Sequence, residues 1–502
     1  MRRPLFVLAL ALPSALAFAA PLAPGRGTPV RVLSPSKAQH FMARVAAREN
    51  KFYKPGVGYD GDTGMTYDGH EVDFHSGELR GGPRTFSASS KESLHLIVLM
   101  KALAGDVTAQ TLIAPDPKHP EGARATALQV LTRKIASYEQ FDRDYPGYGG
   151  FLPWYKIEGG KIAPTNDWQD RVPGLDNGQL AWSLYHTANT LEDMGEHALA
   201  ARYQRHLQKM RDNVVRVFYD PAEHKLRAEA KLVGGNLAAP TKNDYANNVK
   251  GYFLDDSYEG ELLGHFADLM GDWSAHPDGK DAIWKNPRQL PITAKIGKHA
   301  ITTAEGHWLS GHEAWGDLVL PYRDVDIAKR VAENKERART AWSAQHGWDG
   351  LMASTHKPVS GNELDGYLSA LGVPVLAKMK VLPKPVFAPY AAFALALVDK
   401  PMFATWLSSM TKAPGMWGPY GIGESYAKNG DHAPVLTWDG KALPLVAWMG
   451  GIGPDVRRLL QRDGLYESFL ARVRHDFSKF DAKALAGEDL ALRAPVKRRA
   501  SN

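Results

Sequence analysis

The chain has 502 residues, of which 44% are hydrophobic and 23% charged, enough for a large packed core and too apolar for intrinsic disorder. It contains no cysteine, which excludes a disulfide framework and a Cys-linked lipid anchor. Of the net charge of +6, five charges belong to Arg2, Arg3, Lys497, Arg498 and Arg499 at the two ends, which leaves +1 for the body and no reason to expect nucleic acid or an acidic polysaccharide as partner.

In chain order, residues 1–19 read as a secretory signal. Arg2 and Arg3 precede an apolar run from Leu5 to Leu12, and Ala17-Phe18-Ala19 supplies a small-x-small cleavage site before Ala20. Export without disulfides fits a periplasmic or secreted protein. No other stretch is long and apolar enough to span a membrane. Residues 20–88 read as an N-terminal extension, with a helix from Ser34 to Lys51 followed by Gly-rich loops and short strands. Asp60-Gly61-Asp62-Thr63-Gly64 begins like a calcium loop but lacks the third ligand and the closing Glu, and is read as a turn.

Helical periodicity then alternates with loops through residues 89–480. Helices are expected at Leu94 to Leu103, Glu121 to Gln140, Gly178 to Met194, His197 to Phe218, Ser257 to Met270, Ser310 to Val319 and Val325 to Gln345. Further helices are expected at Asn362 to Val373, Pro389 to Val398, Met402 to Met410, Ala442 to Met449, Pro454 to Gln461 and Ser468 to Phe477. The connecting loops are long and rich in Gly, Pro and aromatics. About a dozen helices with few strands point to an all-α fold. Its expected form is an (α/α)6 toroid, whose inner helices enclose a cleft; a helical solenoid is the rival, and no fixed-period repeat supports it. Residues 481–502 form a basic C-terminal tail.

Five constellations carry chemistry. Asp255-Asp256-Ser257-Tyr258-Glu259-Gly260-Glu261 opens an apolar helix. Its carboxylates either complement the helix dipole or include a proton donor, with Glu259 and Glu261 as the candidates and Asp255 beside them. Trp154 and Tyr155, with Trp168, Trp308 and Trp417 in similar loops, suit the apolar faces of sugar rings, although a hydrophobic plug is the plainer reading of any one of them. Asp176, Asn177 and Gln179 open a further helix and can hold hydroxyls or cap it. Glu313 opens another, and the spacing of His307 and His312 matches no zinc signature. Finally, Trp417, Tyr420 and Glu424 precede Trp438-Asp439, where Asp439 starts an apolar helix and is preferred to Asp431 as catalytic partner.

The runs Tyr258-Glu259-Gly260-Glu261-Leu262, Leu175-Asp176-Asn177-Gly178-Gln179-Leu180-Ala181 and Trp417-Gly418-Pro419-Tyr420-Gly421, with Thr437-Trp438-Asp439, resemble endo-β-1,2-glucanases of glycoside hydrolase family 162. Family 144 and the processing domains of cyclic β-1,2-glucan synthases are more distant. The resemblance spans Ser90 to Phe477. It implies an (α/α)6 fold, no metal or other cofactor, and hydrolysis with inversion. It also implies a Glu acid at Glu259 or Glu261, an Asp base at Asp439, and a proton relayed through a substrate hydroxyl or water chain. The expected activity is therefore that of an inverting glycoside hydrolase on a neutral β-glucan, endo-acting on β-1,2-glucan. A polysaccharide lyase on the same toroid and a non-catalytic glucan-binding protein are the alternatives.

Overall fold

The computed structural model describes residues 28–233, 245–382 and 384–497. The expected signal at 1–19 lies outside the described residues, as do Arg498 and Arg499.

Six helical segments form the inner ring of an (α/α)6 toroid: Ser89–Leu103, Gly174–Asp193, Glu261–Met270, Trp315–Val319, the pair Pro389–Ala392 and Phe393–Ala396, and Trp438–Trp448. They are buried on nearly every side, which is why Ser89–Leu103 and Trp438–Trp448 are apolar all round and carry little of the one-sided pattern of a surface helix. Neighbours in the ring touch in order. Ser89–Leu103 packs on Gly174–Asp193, which packs on Glu261–Met270; Trp438–Trp448 packs on both Phe393–Ala396 and Ser89–Leu103. Gly311 lies against Ala391, and His312 bonds Glu259, which completes the circle. Gly178 allows the closest of these approaches, since a Cβ there would meet the Leu263 backbone nitrogen at 2.6 Å. Trp182 then donates its indole N–H to the Leu262 carbonyl at 2.8 Å.

The outer helices are amphipathic. In His197–Phe218, Ala200, Tyr203, Leu207, Met210 and Val214 recur at helical spacing and are buried, while Arg, Lys and Gln fill the solvent face. Among the described residues no single helix is long and apolar enough to cross a membrane.

Sheets are small and serve the loops. One of them matters for the site: Gly69–Val72 pairs with Leu79–Arg84 on one side and with Val435–Thr437 on the other, in the register Gly69↔Thr437. A Cβ on Gly69 would lie 2.0 Å from the Leu436 carbonyl oxygen, so glycine is required for this pairing. Residues 28–88 and 481–497, read from the sequence as an extension and a tail, pack on the body. Pro35–Glu49 lies on Lys400–Met410, and the Trp406 indole donates to the Arg493 carbonyl at 2.9 Å. Below the ring, Glu92 accepts from Lys134, Tyr138, Tyr155 and the Thr66 N–H. Burial favours its neutral acid, but these donors outweigh burial and hold the carboxyl below its ordinary range.

One expected helix is absent. Residues 362–373 form a loop with the short strand Tyr367–Leu368, paired to Thr355–His356. Gly366 is left-handed there (φ 72°), and the Tyr367 hydroxyl is drawn to the Ser354 carbonyl at 3.0 Å. At Asp60, one carboxylate oxygen accepts from the Asp62 and Thr63 N–H groups and from the Thr63 hydroxyl, the geometry of a turn.

Candidate active site

The first turns of the inner helices bring their polar residues together. Glu259 and Glu261 flank Gly260 at the start of Glu261–Met270, and two residues of helical advance send their side chains apart. Glu261 points outward into a small cavity of about 30 Å³, lined by Gln289, Asp317, Tyr322 and Lys335. It accepts from the Gln289 amide at 2.6 Å. Burial pushes its pKa well above the ordinary carboxyl value, with the charge of Asp476 adding to the effect. Glu261 is thus packed behind the ring, where burial favours its neutral form.

Glu259 points inward. Its Oε1 lies 3.0 Å from His312 Nδ1, and its Oε2 accepts from the Gln179 side-chain amide. Burial raises its pKa; Asp176 and Asp439 raise it further, while the bond to His312 works the other way.

Asp439 reaches the same space from the other side of the ring. Thr437 caps its helix, accepting the Gly440 N–H at 3.1 Å and donating to Glu424 at 2.6 Å. Glu424 also takes the Thr355 hydroxyl at 3.2 Å, and is buried. This scaffold holds Asp439 in the first turn, 3.0 Å from Lys91 Nζ. Burial disfavours the Lys91 ammonium, yet Asp439, Asp68 and Asp176 outweigh burial and raise its pKa. Asp68 is itself paired with Arg84 at 3.0 Å. The N-terminal strands therefore contribute directly to the charge balance of the cleft.

The aromatic loops behave differently from expectation. Trp154 stacks against Phe86 (6.4 Å, 15°) and Trp168 (5.7 Å, 12°), with the Arg84 and Arg171 guanidiniums over Phe86 and Trp168. Ring faces expected to meet sugars are thus occupied by one another. The stack forms a wall, and its Trp154 indole N–H donates to Asp176 at 3.1 Å. Trp308 meets Tyr258 and His307 edge-on and lies on the Glu259 side of the site. Glu313 is committed to the backbone: its two oxygens accept the Trp308, Leu309 and Ser310 N–H groups, beside Leu309 in a left-handed conformation (φ 48°).

Several other candidates lie away from the cleft. Tyr155 is buried and bonds Thr66 and Glu92. Asn177 is buried and ties Leu152 to Pro173. Trp438 packs on Phe52, Tyr53 and His95 in the core and donates to the Gly58 carbonyl. Asp255 forms a surface pair with Lys225. Trp417 lines a separate groove of about 620 Å³ with Arg44, Arg48 and Lys51, and Tyr420 lies under Lys51. Asp431 accepts from Asn429 within its own turn. Glu259, Gln179, Asp176, Trp308 and Asp439 remain as the convergent set, joined by His312 and Lys91. Lys91 was hidden in the polar run Ser89-Ser90-Lys91-Glu92-Ser93, which opens an otherwise apolar helix.

A family model described as endo-β-1,2-glucanase SGL, of glycoside hydrolase family 162, matches residues 65–501. The match includes most of the Gly-rich N-terminal region, which lay beyond the reach of the sequence resemblance. Comparison with curated proteins gives no match. Among solved structures, the endo-β-1,2-glucanase from Talaromyces funiculosus with sophorose is 31% identical, with a TM-score of 0.87 over 93% of this chain and 95% of that one. A Glu→Gln variant of the Talaromyces enzyme, solved with β-1,2-glucan, is 32% identical with a TM-score of 0.87 over 92% and 94%. The Chitinophaga pinensis endo-β-1,2-glucanase, at 14% identity and a TM-score of 0.54 over 89% and 98%, shares the fold. With a family match over most of its length and a solved relative above 30% identity, the chain is a glycoside hydrolase and belongs to the endo-β-1,2-glucanases of family 162.

Proposed function

We propose that the enzyme cleaves β-1,2-glucan within the chain, with inversion, using Glu259 as general acid and Asp439 as general base. The observation that carries this reading is the contrast between two carboxyl groups on opposite sides of one ring. Glu259 is buried against His312, and burial raises its pKa, as suits a proton donor; Asp439 lies 3.0 Å from Lys91 Nζ. The relatives support the substrate class, since the Talaromyces enzyme was solved with sophorose and its Glu→Gln variant with β-1,2-glucan.

In this mechanism the bond between C1 and the linking O2 breaks as a proton from Glu259 reaches the departing O2, directly or through a hydroxyl or water. Asp439 takes a proton from a water whose oxygen bonds to C1 from the opposite face, so a β-linkage yields an α-anomer. Gln179 and Asp176 border the acid and supply polar partners for sugar hydroxyls.

Incubation with β-1,2-, β-1,3- and β-1,4-glucans, with product sizing, tests the specificity. Rapid shortening of β-1,2-glucan alone, into mixed short oligosaccharides, is expected. Release of only glucose or a disaccharide at constant polymer length would contradict the endo assignment.

A further inference from the structure

His312 is the feature of the cleft that the acid–base scheme leaves unused. Its Nδ1 is committed to Glu259 Oε1 at 3.0 Å. Its Nε2 is shielded from solvent and bonds no protein group among the described residues. Only 11% of the imidazole and 8% of the Glu259 side chain are exposed, so the pair is removed from water together. In such surroundings a net charge is costly. A pair carrying two protons is a buried cation and a pair carrying none is a buried anion; the pair with one proton is neutral and is favoured.

We infer that His312 and Glu259 hold one proton between them, and that His312 stores this proton in the free enzyme and passes it to Glu259 when substrate fills the cleft. The inference rests on Glu259 being the acid. The transfer is balanced: Nδ1–H breaks and a carboxyl O–H forms, so imidazolium and carboxylate become imidazole and carboxylic acid. Glu259 then gives the proton to the departing sugar oxygen. A proton from solvent water restores the pair once product has left. Substrate that displaces water from the cleft lowers its polarity and withholds a water acceptor from Nε2–H, and both effects favour imidazole with carboxylic acid over imidazolium with carboxylate.

The surroundings agree. Burial disfavours the imidazolium, but the bond to Glu259, with the charges of Glu259, Asp439 and Glu313, outweighs burial and raises the pKa of His312. Other groups facing the pair are Asp176 from Gly174–Asp193, Tyr252 and Tyr258 from the chain before the Glu259 helix, and Tyr390 from the fifth inner segment. None supplies a second cation in contact with Glu259.

Two measurements test this. First, the pH dependence of kcat/KM is compared for wild type and His312→Gln, with His312→Asn as a second variant. Loss of the storage site should move the alkaline limb to lower pH by about one unit or more, with KM changed less than kcat. A limb that stays in place while activity falls evenly across pH would overturn the inference and leave His312 a packing residue. Second, ¹⁵N-histidine NMR follows His312 in wild type and in Glu259→Gln. Titration above the ordinary histidine value in wild type, and clearly lower in the variant, is expected because burial is then opposed only by the charges of Asp439 and Glu313. Identical titration in both would overturn the shared proton. Should Glu259→Gln keep full activity, the acid assignment fails, while the NMR comparison still reports whether the proton is shared.

Discussion

Glu259→Gln is expected to lower kcat by about 10²–10⁴-fold with little change in KM, the usual loss when a general acid is removed. Gln keeps the size of the side chain and can still bond His312 and Gln179, so the fold and the cleft should be preserved. Glu261→Gln is the matched control. Its carboxyl lies behind the ring against Gln289, where burial favours the neutral form, so an amide in its place should leave activity within about threefold. Steady-state kinetics on β-1,2-glucan, with circular dichroism to confirm folding, separates the two. The reverse ranking would assign the proton to Glu261 and contradict the inward orientation of Glu259.

Asp439→Asn is expected to cost a similar factor, about 10²–10⁴-fold in kcat, because the amide cannot take a proton from water. Lys91 keeps Asp68 and Asp176 as facing charges, so the substitution should not strand a buried cation. Asp431→Asn should leave kcat unchanged, since Asp431 belongs to a turn in which it accepts from Asn429. Loss of activity in Asp431→Asn with activity retained in Asp439→Asn would move the base to the other acidic site.

Much of the architecture was legible because inner and outer helices differ in pattern. The apolar run of Leu443, Leu445 and Val446 and the one-sided pattern of His197–Phe218 follow directly from burial on all sides or on one. The acidic helix starts at Glu259 and Asp439 were also visible. The choice between Glu259 and Glu261 was not, because it depends on which side meets His312 and which meets Gln289, and those partners are 53 and 28 residues away in sequence.

The aromatic loops were the weakest signal. Trp154, Tyr155, Trp417 and Trp438 all sit near glycine or proline in expected loops or helix starts, yet one joins a stacked wall, one lies in a separate groove and two are in the core. Local sequence does not distinguish a ring that faces a ligand from one that faces another ring. Lys91 was missed because the helix was expected from Leu94, which left Lys91 in a loop; the helix begins at Ser89 without a side-chain cap. The spacing of His312 in the sequence speaks only to metal binding, whereas its partner in space is the Glu259 carboxyl group. At residues 362–373, apolar spacing suggested a helix, but Gly366 and the pull of Tyr367 on Ser354 set an extended loop.

Inversion requires an acid and a base on opposite sides of the substrate, and the anomer released first tests this most directly. ¹H NMR of the reducing ends formed in the first minutes of β-1,2-glucan hydrolysis, before mutarotation, should show the α-anomer. Initial release of the β-anomer would require attack on the glycosidic carbon by an enzyme carboxylate and would contradict the assignment of Asp439 as a base acting on water.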